Sequence, residues 1–137
     1  MSLPGEQKTE LQIQQGIRQV EDDLVTWIQK ALDDKSKYGD LEESQFRNLV
    51  RVADTTESAE VIKNFLRYQV GRDKKWGRGK DSLAEKIIRD IDGNIKKTAQ
   101  ALGECLQTDF KPIWIELIRR YLGYGSRYLL YKNKENS

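Results

Sequence analysis

Apolar residues recur at steps of three and four along almost the whole chain, and only two prolines, Pro4 and Pro112, stand among its 137 residues. Steps of three and four place side chains on one face of an α-helix, whereas a half-buried strand needs steps of two. With proline absent from the long interior, helices can run there without losing a backbone hydrogen bond. Leu11, Ile17, Val20, Leu24, Trp27, Ile28, Ala31 and Leu32 form one stripe and predict a first helix over about residues 6–34. A polar break follows at 33–39. Phe46, Leu49, Val50 and Ala53 predict a short second helix over about 42–53, and Ala59, Ile62, Phe65, Leu66 and Val70 a third over about 57–70, with Gly71 as its stop.

Residues 71–80 read Gly-Arg-Asp-Lys-Lys-Trp-Gly-Arg-Gly-Lys, with three glycines and no apolar period, which predicts a loop. Ser82 and Glu85 have the spacing of a capping box. They open a long fourth helix that reaches about residue 106 through Ala84, Ile87, Ile88, Ile91, Ile95, Ala99, Leu102 and Leu106. Gly93 and Gly103 weaken it by about 1 kcal/mol each relative to alanine and mark close contacts or a bend. Asp109 caps the last helix, with Pro112 in its first turn and Ile113, Trp114, Leu117, Ile118, Tyr121 and Leu122 on its faces. The expected fold is therefore all-α: a single-domain bundle of about five helices, two or three of them long, with residues 1–5 and 133–137 disordered. No apolar run approaches the roughly 20 residues that cross a bilayer, so no membrane partner is expected.

The chain has no histidine, which excludes Ser-His-Asp and Cys-His catalysis, histidine-ligated zinc and a histidine pH switch. Its one cysteine, Cys105, excludes an internal disulfide and any multi-cysteine metal site, and reads as a small core residue. The absence of an apolar leader predicts a cytoplasmic protein. Asp22-Asp23, Asp33-Asp34 and Glu42-Glu43 are adjacent, so on a helix their side chains diverge by about 100° and form no acid/base dyad. Asp90 and Asp92 flank Ile91 and point to different faces. The Gly77/Gly79 pair follows no strand and lacks both a third glycine and a Walker-type Gly-Lys-Ser/Thr. No catalytic set assembles, and no enzyme activity, metal or cofactor is expected.

Charge is more informative. Residues 1–60 hold 7 basic and 13 acidic residues, net −6, and residues 61–137 hold 17 basic and 9 acidic, net +8. Such a split predicts two different surfaces. Between Arg67 and Lys80 lie Arg67, Arg72, Lys74, Lys75, Arg78 and Lys80, with only Asp73 opposing them and with Tyr68 and Trp76 interleaved. Cations release counterions from a phosphate backbone, and an aromatic among them can stack on an unpaired base. The same composition also suits a mobile, solvated loop. On the last helix, Tyr121, Tyr124, Tyr128 and Tyr131 share a stripe that reads first as a half-buried edge of the bundle, and with Arg120 and Arg127 as a second basic, aromatic face. Gly123 and Gly125 beside it suit a close approach by another backbone.

The run Ile62-Lys-Asn-Phe-Leu-Arg-Tyr-Gln-Val-Gly-Arg72 ends a helix with an aromatic, a glycine and an arginine. After a loop come an isoleucine-rich helix from Leu83 to Leu106, then Phe110, the run Glu116-Leu-Ile-Arg-Arg-Tyr-Leu-Gly-Tyr124 and Tyr128-Leu-Leu-Tyr-Lys132. Over about residues 44–133 this order resembles the small helical subunit of type III CRISPR–Cas effector complexes, the Csm-type second subunit. The loop Lys74 to Lys80 is richer in glycine and positive charge than that pattern, and the acidic first helix departs from it. The resemblance implies a non-catalytic subunit of antiviral defence that stacks with copies of itself and with other effector subunits along the guide and target RNA. It implies Arg67, Tyr68 and Arg72 as RNA contacts. The alternative is a helical interaction or self-assembly module with no nucleic acid partner.

Overall fold

The structure, a computed structural model, describes residues 5–135, and side-chain surroundings for 9–135. Helices α1 (Gly5–Asp33), α2 (Glu43–Thr55), α3 (Ala59–Arg72), α4 (Leu83–Asp90), α5 (Lys96–Leu106) and α6 (Phe110–Glu135) follow one another, with no strand among the described residues. A π-helical turn over Ile91–Ile95 joins α4 to α5 in one continuous rod, so five rods make the bundle. Short 3-10 turns occupy Lys35–Lys37 and Lys74–Trp76. The all-α bundle expected from the sequence is the fold.

Side-chain contacts fix the directions of the rods. Arg120 pairs with Glu21, and further along Lys132 pairs with Asp33, so α1 and α6 run parallel. Arg119 donates to Ala53 O at 2.8 Å and Ser126 to Glu43 at 3.3 Å, so α2 runs against α6. Trp114 Nε1 donates to Ile91 O at 2.8 Å, Tyr121 Oη to Asp90 Oδ2 at 2.7 Å, and Gly103 lies against Phe110; the α4–α5 rod is therefore antiparallel to α6 too. One end of the bundle thus gathers the C-termini of α1, α3 and α6 with the N-termini of α2 and α4.

Helix α6 is the axis of the core. It buries Ile113, Trp114, Ile115, Leu117, Ile118, Tyr121, Leu122, Gly125, Ser126 and Leu129, too wide a set for a one-sided helix, and it packs on α1, α2 and α5. A helix covered on several sides must be apolar on several sides. Its two glycines behave differently. At Gly125 an added Cβ would stand 2.7 Å from Ile28 Cγ1 and from Phe46 Cζ, so it is a side-chain contact rather than a backbone that makes the close approach there. Gly123 faces open space. Gly123→Ala is therefore expected to stabilise the protein by about 0.5–1 kcal/mol, by removing freedom from the unfolded chain. Gly125→Ala should destabilise it, and urea unfolding of the two variants compares the signs.

Several expectations change. The fourth helix is not regular: residues 91–95 form a widened π-helical turn, in which the indole of Trp114 donates to Ile91 O, while a side chain at Gly93 would meet nothing within 4 Å, so the glycine marks no close contact. Helix α3 runs through Gly71 to Arg72 rather than stopping, because Asp73 supplies the cap, its N–H donating to Gln69 O at 3.0 Å. Leu11 is 53% exposed: its neighbours Glu10, Ile13 and Gln14 line a cleft with Pro112 and Ile113 of α6, and Leu11 is not among its walls. Cys105 is exposed, since the inward positions of its turn are taken by Leu102 and Gly103. Of the ends expected to be disordered, Gly5 belongs to α1 and 133–135 belong to α6, where Asn133 Nδ2 donates to Leu41 O at 3.0 Å. Residues 1–4 and 136–137 lie outside the described residues.

Part of the charge split is consumed inside the fold. Arg120 pairs with Glu21, Lys132 with Asp33, Arg119 with Glu57, Lys75 with Glu42 and Lys63 with Glu60, each joining the basic half to the acidic half. The Asp33 carboxylate accepts from Tyr128, which lowers its pKa and drives the phenol of Tyr128 up to about 12. These pairs join the two halves where they meet in the bundle.

Candidate nucleic-acid interface

The segment read as a loop is a fixed ledge. Asp73 Oδ1 accepts from Lys75 N at 3.0 Å, which starts the 3-10 turn, and Gly77 N closes it on Lys74 O at 2.9 Å. Gly39 N donates to Lys75 O at 3.0 Å, tying the ledge to the segment after α1. Arg89 holds Lys80 O at 2.8 Å, and Gln45 Nε2 reaches Asp73 Oδ2 at 3.4 Å. Bonds to three separate elements, the segment after α1, α2 and α4, tie the ledge to the bundle, unlike a free solvated loop.

Trp76 anchors the ledge and corrects the sequence reading. It is fully buried and lies 5.6 Å from the Phe46 ring, centroid to centroid, tilted by 33°. A side chain sealed in the core cannot stack on a base. Its position follows from the ledge folding back over the N-terminal half of α2, which removes about the largest apolar surface any residue offers from water.

On the outer side stand Arg67, Tyr68, Arg72, Lys74, Arg78 and Lys80, all exposed. None of these five cations has an ion-pair partner among the described residues. The Arg72 guanidinium lies over the Tyr68 ring at 5.5 Å, and Tyr68 is 58% exposed, so this pair presents one aromatic face and one planar cation to solvent. Lys75 is half-buried and leans toward Glu42 at 3.8 Å, a loose pair that leaves it able to turn outward.

Arg120 and Arg127 are not part of this surface. They line a separate groove of about 580 Å³ between α2 and α6, with Val50, Asp54, Glu116 and Arg119. Arg120 donates to Glu116 at 3.0 Å, to Gln14 at 3.2 Å and to Glu21. Burial pulls its pKa down, but those carboxylates outweigh burial and hold it raised. Its fork is committed to the fold, so only Arg127, exposed and without an ion-pair partner among the described residues, remains from that expected second face. Of the four tyrosines, Tyr121 is wholly buried on Asp90, Tyr124 and Tyr128 are half-buried, and Tyr131 is exposed, so the half-buried edge reading describes two of the four.

One cation of this end went unnoticed in the sequence. Lys37 lies in the 3-10 turn after α1, and an added Cβ at Gly77 would stand 2.1 Å from Lys37 O. The backbones of 37 and 77 therefore touch, which puts Lys37 beside Arg78. Forty residues of separation and a mixed Asp-Asp-Lys-Ser-Lys context carry no local signal of that contact. Among the described residues no three acidic or cysteine side chains gather as metal ligands do, and no helix is long and apolar enough to cross a membrane. Comparison with protein-family models, with curated proteins and with solved structures gives no match.

Proposed function

We propose that this protein is a non-catalytic, RNA-binding small subunit of a type III CRISPR effector complex, gripping the RNA backbone with the ledge end of its bundle. The observation that carries the reading is a run of five exposed cations without ion-pair partners among the described residues, Arg67, Arg72, Lys74, Arg78 and Lys80, with Arg72 set over the exposed ring of Tyr68. Phosphate contacts of this kind bind without reading sequence, and a lone aromatic adds stacking on an unpaired base, so the ligand is single-stranded. The ordered sequence features that resemble the Csm-type subunit lie largely on α3, the α4–α5 rod and α6, and they support the same reading. Alongside RNA, the expected partners are other effector subunits and further copies of the chain.

The alternative, a self-assembly module held by its opposite charges, is weakened because the acidic and basic halves already pair within one chain. Replacing Arg67, Arg72, Lys74, Arg78 and Lys80 together with alanine tests the proposal. Each lost phosphate contact should reduce the salt slope of binding by about 0.7, and the set should weaken single-stranded RNA binding by at least ~100-fold near physiological salt. All five side chains are exposed, so the helical circular dichroism spectrum should not change. Unchanged affinity in the folded variant removes the ledge as the binding surface.

A further inference from the structure

The ledge does not end at Lys80. Between the turn at 35–38 and the segment at 77–82 lies a cleft of about 230 Å³, lined among others by Lys37, Tyr38, Arg78, Asp81 and Ser82. Its walls touch where Gly77, at φ +85°, accepts the Lys37 carbonyl in the space a side chain would fill. Two cationic residues from segments forty residues apart thereby line one small opening; neither has a salt-bridge partner among the described residues, and Lys37 acts on Asp34 only through its longer-range field.

Among the polar side chains around that opening, Lys37, Arg78 and Ser82 can donate. Ser82 is 2% exposed; its Oγ accepts from Glu85 N at 3.1 Å, which leaves its hydroxyl proton free to donate. Tyr38 Oη gives its proton to Leu32 O at 2.6 Å and so takes no part in donation to the cleft. Asp81 is the one acidic side chain on the rim, and it is exposed, where water screens it. Lys37, Arg78 and Ser82, which line this space together, bring an ammonium, a guanidinium and a hydroxyl to it, donors that suit the oxygens of one tetrahedral oxyanion.

We infer that the Lys37–Arg78–Ser82 cleft is a phosphate pocket, which seats one phosphodiester of the RNA strand lying on the ledge and carries the binding surface from α3 across to the turn after α1. This rests on the RNA reading above and adds to it a defined seat and a residue, Lys37, from the acidic half of the chain.

The test compares Lys37→Gln with Lys35→Gln. Both remove one positive charge from the same turn, but only Lys37 lines the cleft. Binding of single-stranded RNA by the full chain should weaken about tenfold in Lys37→Gln, with the salt slope lower by about 0.7, and less than about twofold in Lys35→Gln. In a double-mutant cycle with Arg78→Gln, the combined loss should be smaller than the product of the single losses, because both residues hold one phosphate. Equal effects of Lys37→Gln and Lys35→Gln, with RNA binding still lost in the five-alanine variant, would overturn the pocket and leave the RNA reading standing. A second arm uses pyrophosphate alone, followed by amide NMR of the wild-type chain. Saturable shifts confined to residues 36–38 and 77–82 support the pocket even if RNA does not bind, and an absence of such shifts counts against it whatever RNA does.

Discussion

Trp76→Ala should lower the stability of the protein by about 3–5 kcal/mol, the usual loss when a fully buried large aromatic is cut to a methyl group. Against a total of roughly 5–15 kcal/mol for a domain, that is a large fraction. The ring fills the space between Phe46 and the ledge, and none of it reaches solvent. Trp76→Phe should be milder, since the indole N–H has no acceptor among the described residues and its removal breaks no hydrogen bond. Urea unfolding followed by circular dichroism measures both. RNA binding by the folded fraction separates the roles: if the alanine variant kept its stability and lost affinity, the ring would be a stacking surface after all.

Gly77→Ala should be nearly as damaging, by about 3 kcal/mol or more. Two effects add there. A φ of +85° is strained for any residue with a Cβ, by about 1–3 kcal/mol. The new methyl group would also fall 2.1 Å from Lys37 O, a backbone atom that cannot swing aside, and 2.8 Å from Ser82 Cβ. Gly79→Ala is the matched control. Its φ of +80° brings the same strain, but nothing lies within 4 Å of its added methyl, so it should lose only about 1–2 kcal/mol. Thermal midpoints of the two variants give the difference directly. Equal losses would mean that the contact between the two turns contributes nothing beyond backbone strain.

The helices were legible in the sequence because each needs only local information: a step of three or four, a cap and a breaker. Asp109 illustrates this, since it sits one residue before α6 and its Oδ1 accepts from Lys111 N at 3.1 Å, as its position foretells. Trp76 was not legible. It stands alone among glycines and cations, with no apolar neighbour at helical spacing, and its burial is decided by Phe46, thirty residues earlier. The widened turn at 91–95 was hidden for a related reason: the pattern Ile87, Ile88, Ile91, Ile95 fits a regular helix, and only the approach of Trp114 reveals the extra residue. Arg120 and Arg72 look alike in sequence, one beside Tyr121 and the other four residues after Tyr68. Only the packing of α1 on α6 commits the first to Glu21 and Gln14 and leaves the second facing water. Of the candidate site, then, the residues on the outer turn of α3 could be read in advance, while the pairing of Lys37 with Arg78 required the fold.

The axial place of α6 bears on how the protein is made. Synthesis delivers α1 to α5 first, and although α1 and the rod pack on each other, much of the inward face of α1 and of the α5 part of the rod is covered only once α6 emerges. The link between Glu21 and Arg120 closes across 99 residues, so it forms only after most of the polypeptide has left the ribosome. A nascent chain in that interval carries several uncovered isoleucine stripes, the kind of surface that aggregates or is held by a chaperone. Release of such a chaperone should therefore wait until residue 129, the last buried leucine of α6, has emerged from the ribosome.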